Sequence, residues 1–98
     1  MTIEINKNEQ EVVMAVAGRL DTVTAPMLDK AIGELANDVN SLILDLTGLE
    51  YISSAGLRVI LMAQKKMQAI GTMTLKNVRE EIMDIFEMTG FVDILTIE

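Results

Sequence analysis

The sequence contains no cysteine, no histidine and no tryptophan among its 98 residues. Without cysteine no disulfide can form, and without cysteine and histidine the usual zinc ligands are missing. The absence of histidine also removes the commonest general base and every catalytic arrangement of the Ser-His-Asp kind. These absences argue against an enzyme. We therefore expect a protein with no catalytic residues, no metal and no cofactor.

Positive charge is also scarce, since 8 basic residues face 15 acidic ones and the formal net charge is −7. A nucleic-acid-binding protein needs a basic surface that displaces phosphate counterions, so nucleic acid is not an expected partner. The first residues do not resemble a signal peptide. No apolar run approaches the ~18 residues of a membrane span. Half the residues are apolar, and we expect one cytoplasmic domain over residues 1–98, without membrane insertion.

The first third of the chain predicts a hairpin followed by a helix. Residues 2–6 alternate between apolar and polar, and residues 11–17 form a mainly β-branched and small apolar run, which together favour an antiparallel hairpin that ends at Gly18. Thr24 is suited to the N-cap of a helix, and Pro26 is tolerated in its first turn. The helix is predicted over residues 25–37.

The remainder alternates between strand and helix patterns. Residues 41–46 are almost continuously apolar, which predicts a strand covered on both faces. A long helix is expected from Ser53 or Ser54 to Ile70, ended by Gly71. A strand over 72–76 precedes a third helix capped by Asn77, and a last strand is expected over 91–97. The fold class is α/β, with a mixed β-sheet opened by an antiparallel hairpin, later strands parallel, and three to four helices.

The long helix carries an unusual outward row. Ser54, Arg58, Leu61 and Lys65 recur at helical spacing, with Leu57 and Met62 beside them. Apolar side chains between cations are typical of a surface that docks a protein partner. The alternative is that Leu61 and Met62 are covered by a neighbouring loop or by the C-terminal segment, and the helical spacing alone does not separate the two.

Two serines stand at the start of this helix, Ser53 and Ser54. One interpretation is simple N-capping. The other is a hydroxyl that accepts phosphate, which would add about two negative charges at the helix N-terminus. The helix dipole and the free backbone N–H groups would accommodate that charge, and Arg58 would partly neutralise it.

Four segments, in this order along the chain, resemble the STAS domain family, named for sulfate transporters and anti-sigma factor antagonists. The resemblance is strongest to the stand-alone bacterial antagonists. The segments are Val16-Ala17-Gly18-Arg19-Leu20-Asp21, then Leu42 to Leu46 with Thr47-Gly48-Leu49, then Tyr51-Ile52-Ser53-Ser54-Ala55-Gly56-Leu57-Arg58, and finally the pattern of Ile82, Phe86, Thr89, Gly90 and Phe91.

The resemblance implies a single STAS-like domain that acts in a partner switch. The unmodified protein would bind an anti-sigma factor that is itself a serine kinase, phosphorylation would release it, and a serine phosphatase would restore it. With the motif aligned on Gly56, the usual acidic residue is replaced by Ser53, and Ala55 occupies a position that accepts phosphate in some members. Ser54 is therefore the expected acceptor, with Ser53 as second choice.

The expected partner surface combines this motif with the outward row of the helix. Asp21 lies at a position that the family associates with the same surface, although turn formation explains this residue equally well. A constitutive, non-phosphorylated STAS subunit of a lipid-transport ATPase or of a stress-sensing assembly is the alternative function. The expected partner-binding residues are Asp21, Ser53, Ala55, Gly56, Arg58, Leu61, Met62 and Lys65.

Overall fold

An antiparallel hairpin opens the fold, as predicted. The computed structural model describes residues 1–98, and its first strands are β1 (Thr2–Asn8) and β2 (Glu11–Leu20), paired antiparallel. Gly18 does not end β2, contrary to the prediction. Its φ of 94° lies next to a register shift between Gly18 and Arg19. Because a bulge bends a strand without stopping it, β2 continues to Leu20.

The later strands are parallel to β2 or to one another. Strands β3 (Ser41–Asp45) and β4 (Leu49–Ile52) both pair parallel with β2, β3 along its first half and β4 along its last residues. Strand β5 (Thr72–Lys76) is parallel to β3. The mixed sheet of the expected α/β class is therefore confirmed. Strand β4 is not among the predicted elements.

Three helices complete the fold: α1 (Ala25–Gly33), α2 (Ser54–Gln68) and α3 (Glu80–Thr89). Helix α1 is shorter than predicted and ends at Gly33. None of the helices has both the length and the apolar character needed to cross a membrane. The strand predicted over 91–97 is wrong. A 3₁₀ turn (Phe91–Asp93) takes its place, and only Ile97 forms an isolated bridge, with Leu75.

Two predicted helix boundaries have different physical causes. Asn77 does not cap α3; it has a φ of 58°, and its side-chain amide donates to Asp45 Oδ1 at 3.1 Å. Helix α3 begins after Arg79, whose side chain makes no capping hydrogen bond. Gly71 follows α2 as predicted, but a Cβ there would overlap the backbone carbonyl of Asn40. Close approach of two backbone segments, rather than a left-handed conformation, therefore requires this glycine.

The core lies on one face of the sheet. Alternate residues of three neighbouring strands are aligned in register and fully buried. On the opposite face Ile43 is only half-buried, so the prediction that β3 is covered on both faces is wrong. Burial alternates along β3 because successive side chains point to opposite faces. The buried strand residues, which share one core with the helices, are Val12, Met14, Leu42, Leu44, Met73 and Leu75.

Candidate functional site

The start of α2 is fixed to the end of the sheet. Leu20 and Ile52 are directly paired at the ends of β2 and β4, and both are buried. The Leu20 carbonyl accepts the Ser53 N–H at 2.9 Å. Two strand ends therefore hold the first turn of α2, and with it both candidate serines.

Gly56 lies on the core side of this first turn. A Cβ at this position would lie 2.7 Å from Leu20 Cγ, 2.9 Å from Ile52 Cγ1 and 2.9 Å from the Leu20 carbonyl oxygen. The glycine lets α2 sit directly on the ends of β2 and β4. Of the residues expected to bind a partner, Gly56 is the one that the structure buries, while its neighbour Ala55 is half-buried.

The two serines have different environments. Ser53 occupies the N-cap; its hydroxyl accepts the Gly56 N–H at 3.4 Å, and its carbonyl accepts the Leu57 N–H at 2.9 Å. Ser54 is the first residue of α2 and is exposed, and its hydroxyl makes no hydrogen bond within the chain. Capping therefore explains Ser53 and leaves Ser54 as an uncommitted surface hydroxyl.

Ser54 and Arg58 line one groove between α1 and α2. Thr22 and Pro26 form part of the opposite wall, and Asp29 of α1 contributes a carboxylate. The guanidinium of Arg58 is exposed and belongs to none of the three ion pairs of the chain. The groove therefore joins a free hydroxyl to a free cation one helical turn away.

Asp21 organises the turn that leads into α1. Its Oδ1 accepts the N–H groups of Val23 at 3.0 Å and Thr24 at 3.1 Å, as well as the Thr24 hydroxyl at 3.1 Å. The pKa of Asp21 is held below its ordinary value, chiefly because the Thr24 backbone N–H donates to its carboxylate. The turn-forming role of Asp21 is thus directly visible, and its side chain is partly exposed.

Thr24 stands at the N-cap of α1, but its side chain does not cap the helix. Its hydroxyl donates chiefly to the Arg19 carbonyl at 2.7 Å, with Asp21 Oδ1 as a longer second acceptor, and it accepts the Asp21 N–H at 2.8 Å. The hydroxyl stabilises the turn instead, and this turn places Thr22 on the wall of the groove.

A stacked pair at the end of the sheet was not predicted. Arg19 and Tyr51 are direct partners on β2 and β4, and the Arg19 guanidinium lies 4.2 Å from the centre of the Tyr51 ring. Both side chains are exposed, and Arg19 Nε lies 3.8 Å from Asp21 Oδ2. The sequence shows both residues, but their contact depends on β4, the strand that was missed.

The outward row of α2 is largely accessible. Met62 is 55% exposed and Leu61 is half-buried, so neither is enclosed as the covered-helix alternative required. Lys65 is exposed and in no ion pair. Ile70, the predicted last residue of this helix, follows its observed end at Gln68 and is 49% exposed.

Positive charge is concentrated on α2, which contains three cations and no acidic residue in a chain of net charge −7. The third cation, Lys66, donates from Nζ to the Ile32 carbonyl near the C-terminus of α1 at 2.9 Å. This contact ties the two helices together and complements the negative end of the α1 dipole. Arg58 and Lys65 are therefore the cations that remain available on the surface of α2.

Comparison with known proteins gives a consistent result. The model of the STAS domain matches residues 2–98. The anti-sigma-B factor antagonist of Bacillus subtilis (strain 168) is 29% identical over 98 residues, which cover 99% of this chain and 90% of that protein. The anti-sigma-B factor antagonist of Listeria monocytogenes serovar 1/2a is 31% identical over 102 residues, with 100% of this chain and 89% of that protein covered.

The solved structures agree with the sequence comparisons. The crystal structure of an anti-sigma factor antagonist from Mycobacterium paratuberculosis matches with a TM-score of 0.87 and 25% identity, over 98% of this chain and 83% of that one. A similar fold thus accompanies a family match over nearly the whole length. The chain belongs to the STAS domain family.

Proposed function

We propose that this protein is an anti-sigma factor antagonist whose binding is switched by phosphorylation of Ser54. The single observation that carries the proposal is the uncommitted, exposed hydroxyl of Ser54 at the first residue of α2, beside a serine already engaged in capping. The names of the full-length relatives support the role of antagonist. The expected partner is an anti-sigma factor with serine kinase activity, in the cytoplasm.

The binding surface consists of the outer side of α2. Met62 and the exposed edge of Leu61 supply apolar contacts, while Arg58 and Lys65 orient an approaching partner by charge. Ser54 lies at one end of this surface. Ser53 and Gly56 contribute by holding the helix start against the sheet, and Asp21 by shaping the neighbouring turn.

The modification is a phosphoryl transfer that the kinase catalyses. The bond between the γ-phosphorus of ATP and the β–γ bridging oxygen breaks, and a bond forms between that phosphorus and Ser54 Oγ. The hydroxyl proton leaves to a base of the kinase, and ADP is released. A serine phosphatase reverses the state by hydrolysis, in which water takes the place of Ser54 Oγ and inorganic phosphate leaves.

Phosphate at Ser54 disrupts binding without unfolding the chain. It adds about two negative charges to a surface that must be desolvated against the partner. The same charge is tolerated by the folded protein because Ser54 lies at the positive end of the α2 dipole and points away from the core. The switch therefore acts on the interface rather than on the fold.

The test compares two neighbouring serines. The protein, Ser54→Ala and Ser53→Ala are incubated with ATP and the cognate anti-sigma kinase, and the phosphate is mapped by mass spectrometry. Ser54→Ala should lose the modification. Ser53→Ala should retain it while losing about 1 kcal/mol of stability, because only a cap is removed. Phosphate found only outside residues 53 and 54 would reject the proposed site.

Binding provides the second readout. Ser54→Asp should keep the thermal midpoint of the protein and weaken kinase binding at least tenfold in a calorimetric titration, whereas Ser54→Ala should bind as the unmodified chain does. If Ser54→Asp binds with unchanged affinity and the protein purifies unphosphorylated with a membrane ATPase or a stress-sensing assembly, it is instead a constitutive STAS subunit.

A further inference from the structure

Arg58 is positioned to interact with a group attached to the Ser54 hydroxyl. The two residues are separated by four positions on α2, so their side chains lie on the same side of the helix. Both line the same groove. The Arg58 guanidinium is exposed and takes part in none of the ion pairs or side-chain hydrogen bonds of the chain.

The other charged groups around the groove are already committed or are of the wrong sign. Asp29 of α1 is the carboxylate on the opposite wall. Asp21 is held by backbone N–H groups, and Arg19 is stacked on Tyr51. Lys65 is on the same outward row but lies seven positions beyond Arg58. Arg58 is thus the nearest cation along α2 that is free to pair with a group at Ser54.

We propose that Arg58 binds the phosphate on Ser54 within the same chain, and that phosphorylation thereby withdraws Arg58 from the partner surface. The inference rests on the proposed modification of Ser54. A guanidinium matches the geometry of a phosphate with two parallel N–H donors. One modification then changes the surface twice, because a dianion is added and the cation at its centre is neutralised.

This arrangement explains how a small modification affects a wide surface. Arg58 lies between Ser54 and the exposed Met62 on the outward row of α2. When the guanidinium turns towards the phosphate, the part of the row on the N-terminal side of Met62 loses its cation. Lys65 stays available to a partner, since it lies eleven positions from Ser54 and only side chains about three or four positions apart meet on a helix.

The test uses the full-length chain with phosphoserine installed at position 54 during synthesis, so that no kinase is needed. The pKa of the phosphate, ordinarily about 6, is measured by ³¹P NMR titration at low salt. Removing the cation should raise that pKa by about 0.3 unit in Arg58→Gln, the shift that corresponds to an i,i+4 ion pair. Arg58→Lys should restore about half of it or more.

Two controls separate this contact from the general field of the protein. Lys65→Gln removes the same charge farther along the helix and should leave the phosphate pKa unchanged. Asp29→Asn removes the carboxylate of the groove and should lower it. Melting curves of every variant establish that the fold is intact.

An equal phosphate pKa in the chain with Arg58 and in Arg58→Gln overturns the inference, and so does an equal rise in Arg58→Gln and Lys65→Gln. Neither result touches the proposed function, because the phosphoserine is installed directly. Conversely, if the kinase fails to modify Ser54, the proposed switch fails whatever the titration shows.

Discussion

Gly56→Ala tests whether close packing at the start of α2 is what requires this glycine. The added methyl carbon would lie 2.7 Å from Leu20 Cγ and 2.9 Å from the Leu20 carbonyl oxygen, well inside ordinary van der Waals contact. The carbonyl has little freedom to move, because it accepts the Ser53 N–H at 2.9 Å. Relief of the overlap must therefore shift α2 away from the sheet or weaken the bond that anchors Ser53.

Two opposing effects set the magnitude. Replacing glycine by alanine inside a helix is intrinsically favourable by about 1 kcal/mol. Overpacking a core destabilises by about 1–3 kcal/mol, and loss of the Ser53 hydrogen bond would add about 1 kcal/mol. We expect the free energy of unfolding to fall by about 1–2 kcal/mol, which lowers the melting temperature of a domain of this size by roughly 5–15 °C.

Gly33→Ala is the matched control. Gly33 also lies in a helix, α1, but no atom is within 4 Å of the position that its Cβ would occupy. This variant should gain up to about 1 kcal/mol, since only the entropy of the unfolded chain changes. The assay is urea unfolding followed by circular dichroism, with both variants measured beside the unmodified chain.

The sign of the change in the free energy of unfolding decides whether packing explains Gly56. Gly56→Ala should unfold at lower urea and Gly33→Ala at equal or higher urea. If both alanines stabilise the protein to the same extent, the methyl group is accommodated without strain, and the explanation of Gly56 by packing is refuted. A displaced α2 start should also reduce phosphorylation of Ser54 by the kinase, while Gly33→Ala should leave it unchanged.

Three further predictions concern stability and binding. The buried Oε1 of Gln64 has no hydrogen-bond partner. Gln64→Met should therefore raise the free energy of unfolding, measured by urea titration, by about 1 kcal/mol, whereas Gln68→Met at an exposed position should not. Hydrogen bonds from the side chains of Thr47 and Asn77 hold the pKa of Asp45 below its ordinary value of 3.8. The stabilisation of the fold by the Asp45 carboxylate is therefore present above pH 3.8 and is lost as the pH falls through the folded-state pKa. Asp45→Asn should consequently show a weaker loss of stability in acid. Lys65→Glu should leave the melting temperature unchanged but weaken binding to the anti-sigma factor about tenfold at low salt, and an affinity that does not respond to this reversal would contradict the proposed surface.

Local patterns predicted the elements whose signals are local. The alternation at the start of the chain gave the hairpin, and the apolar spacing of α2 gave the longest helix near its observed bounds. The pair of serines followed by Gly56 located the candidate site. In each case the signal is a pattern of neighbouring residues, so the sequence contains it directly.

Elements that depend on distant contacts were mispredicted. Strand β4 exists because it runs beside the end of β2 after the bulge at Gly18. Asn77 adopts a left-handed conformation and bonds to Asp45, which is 32 positions away, instead of capping α3. The last segment forms a 3₁₀ turn and then meets β5 at one residue, Leu75, which bridges to Ile97 and bonds to the backbone of Thr96 and Glu98. Propensity cannot report on a partner that folding brings from elsewhere in the chain.

The sequence by itself determined the fold class, the absence of cysteine and histidine chemistry, and the start of α2 as the place of interest. Helix-start propensity left the two serines equivalent, because both are small hydroxyl residues suited to that position, and only the family resemblance placed Ser54 first. The tertiary structure separated them. The ends of β2 and β4 orient the first turn of α2 so that the Ser53 hydroxyl caps the helix and that of Ser54 faces solvent beside Arg58. Orientation relative to the sheet made this difference, and it arises only when the strands are assembled.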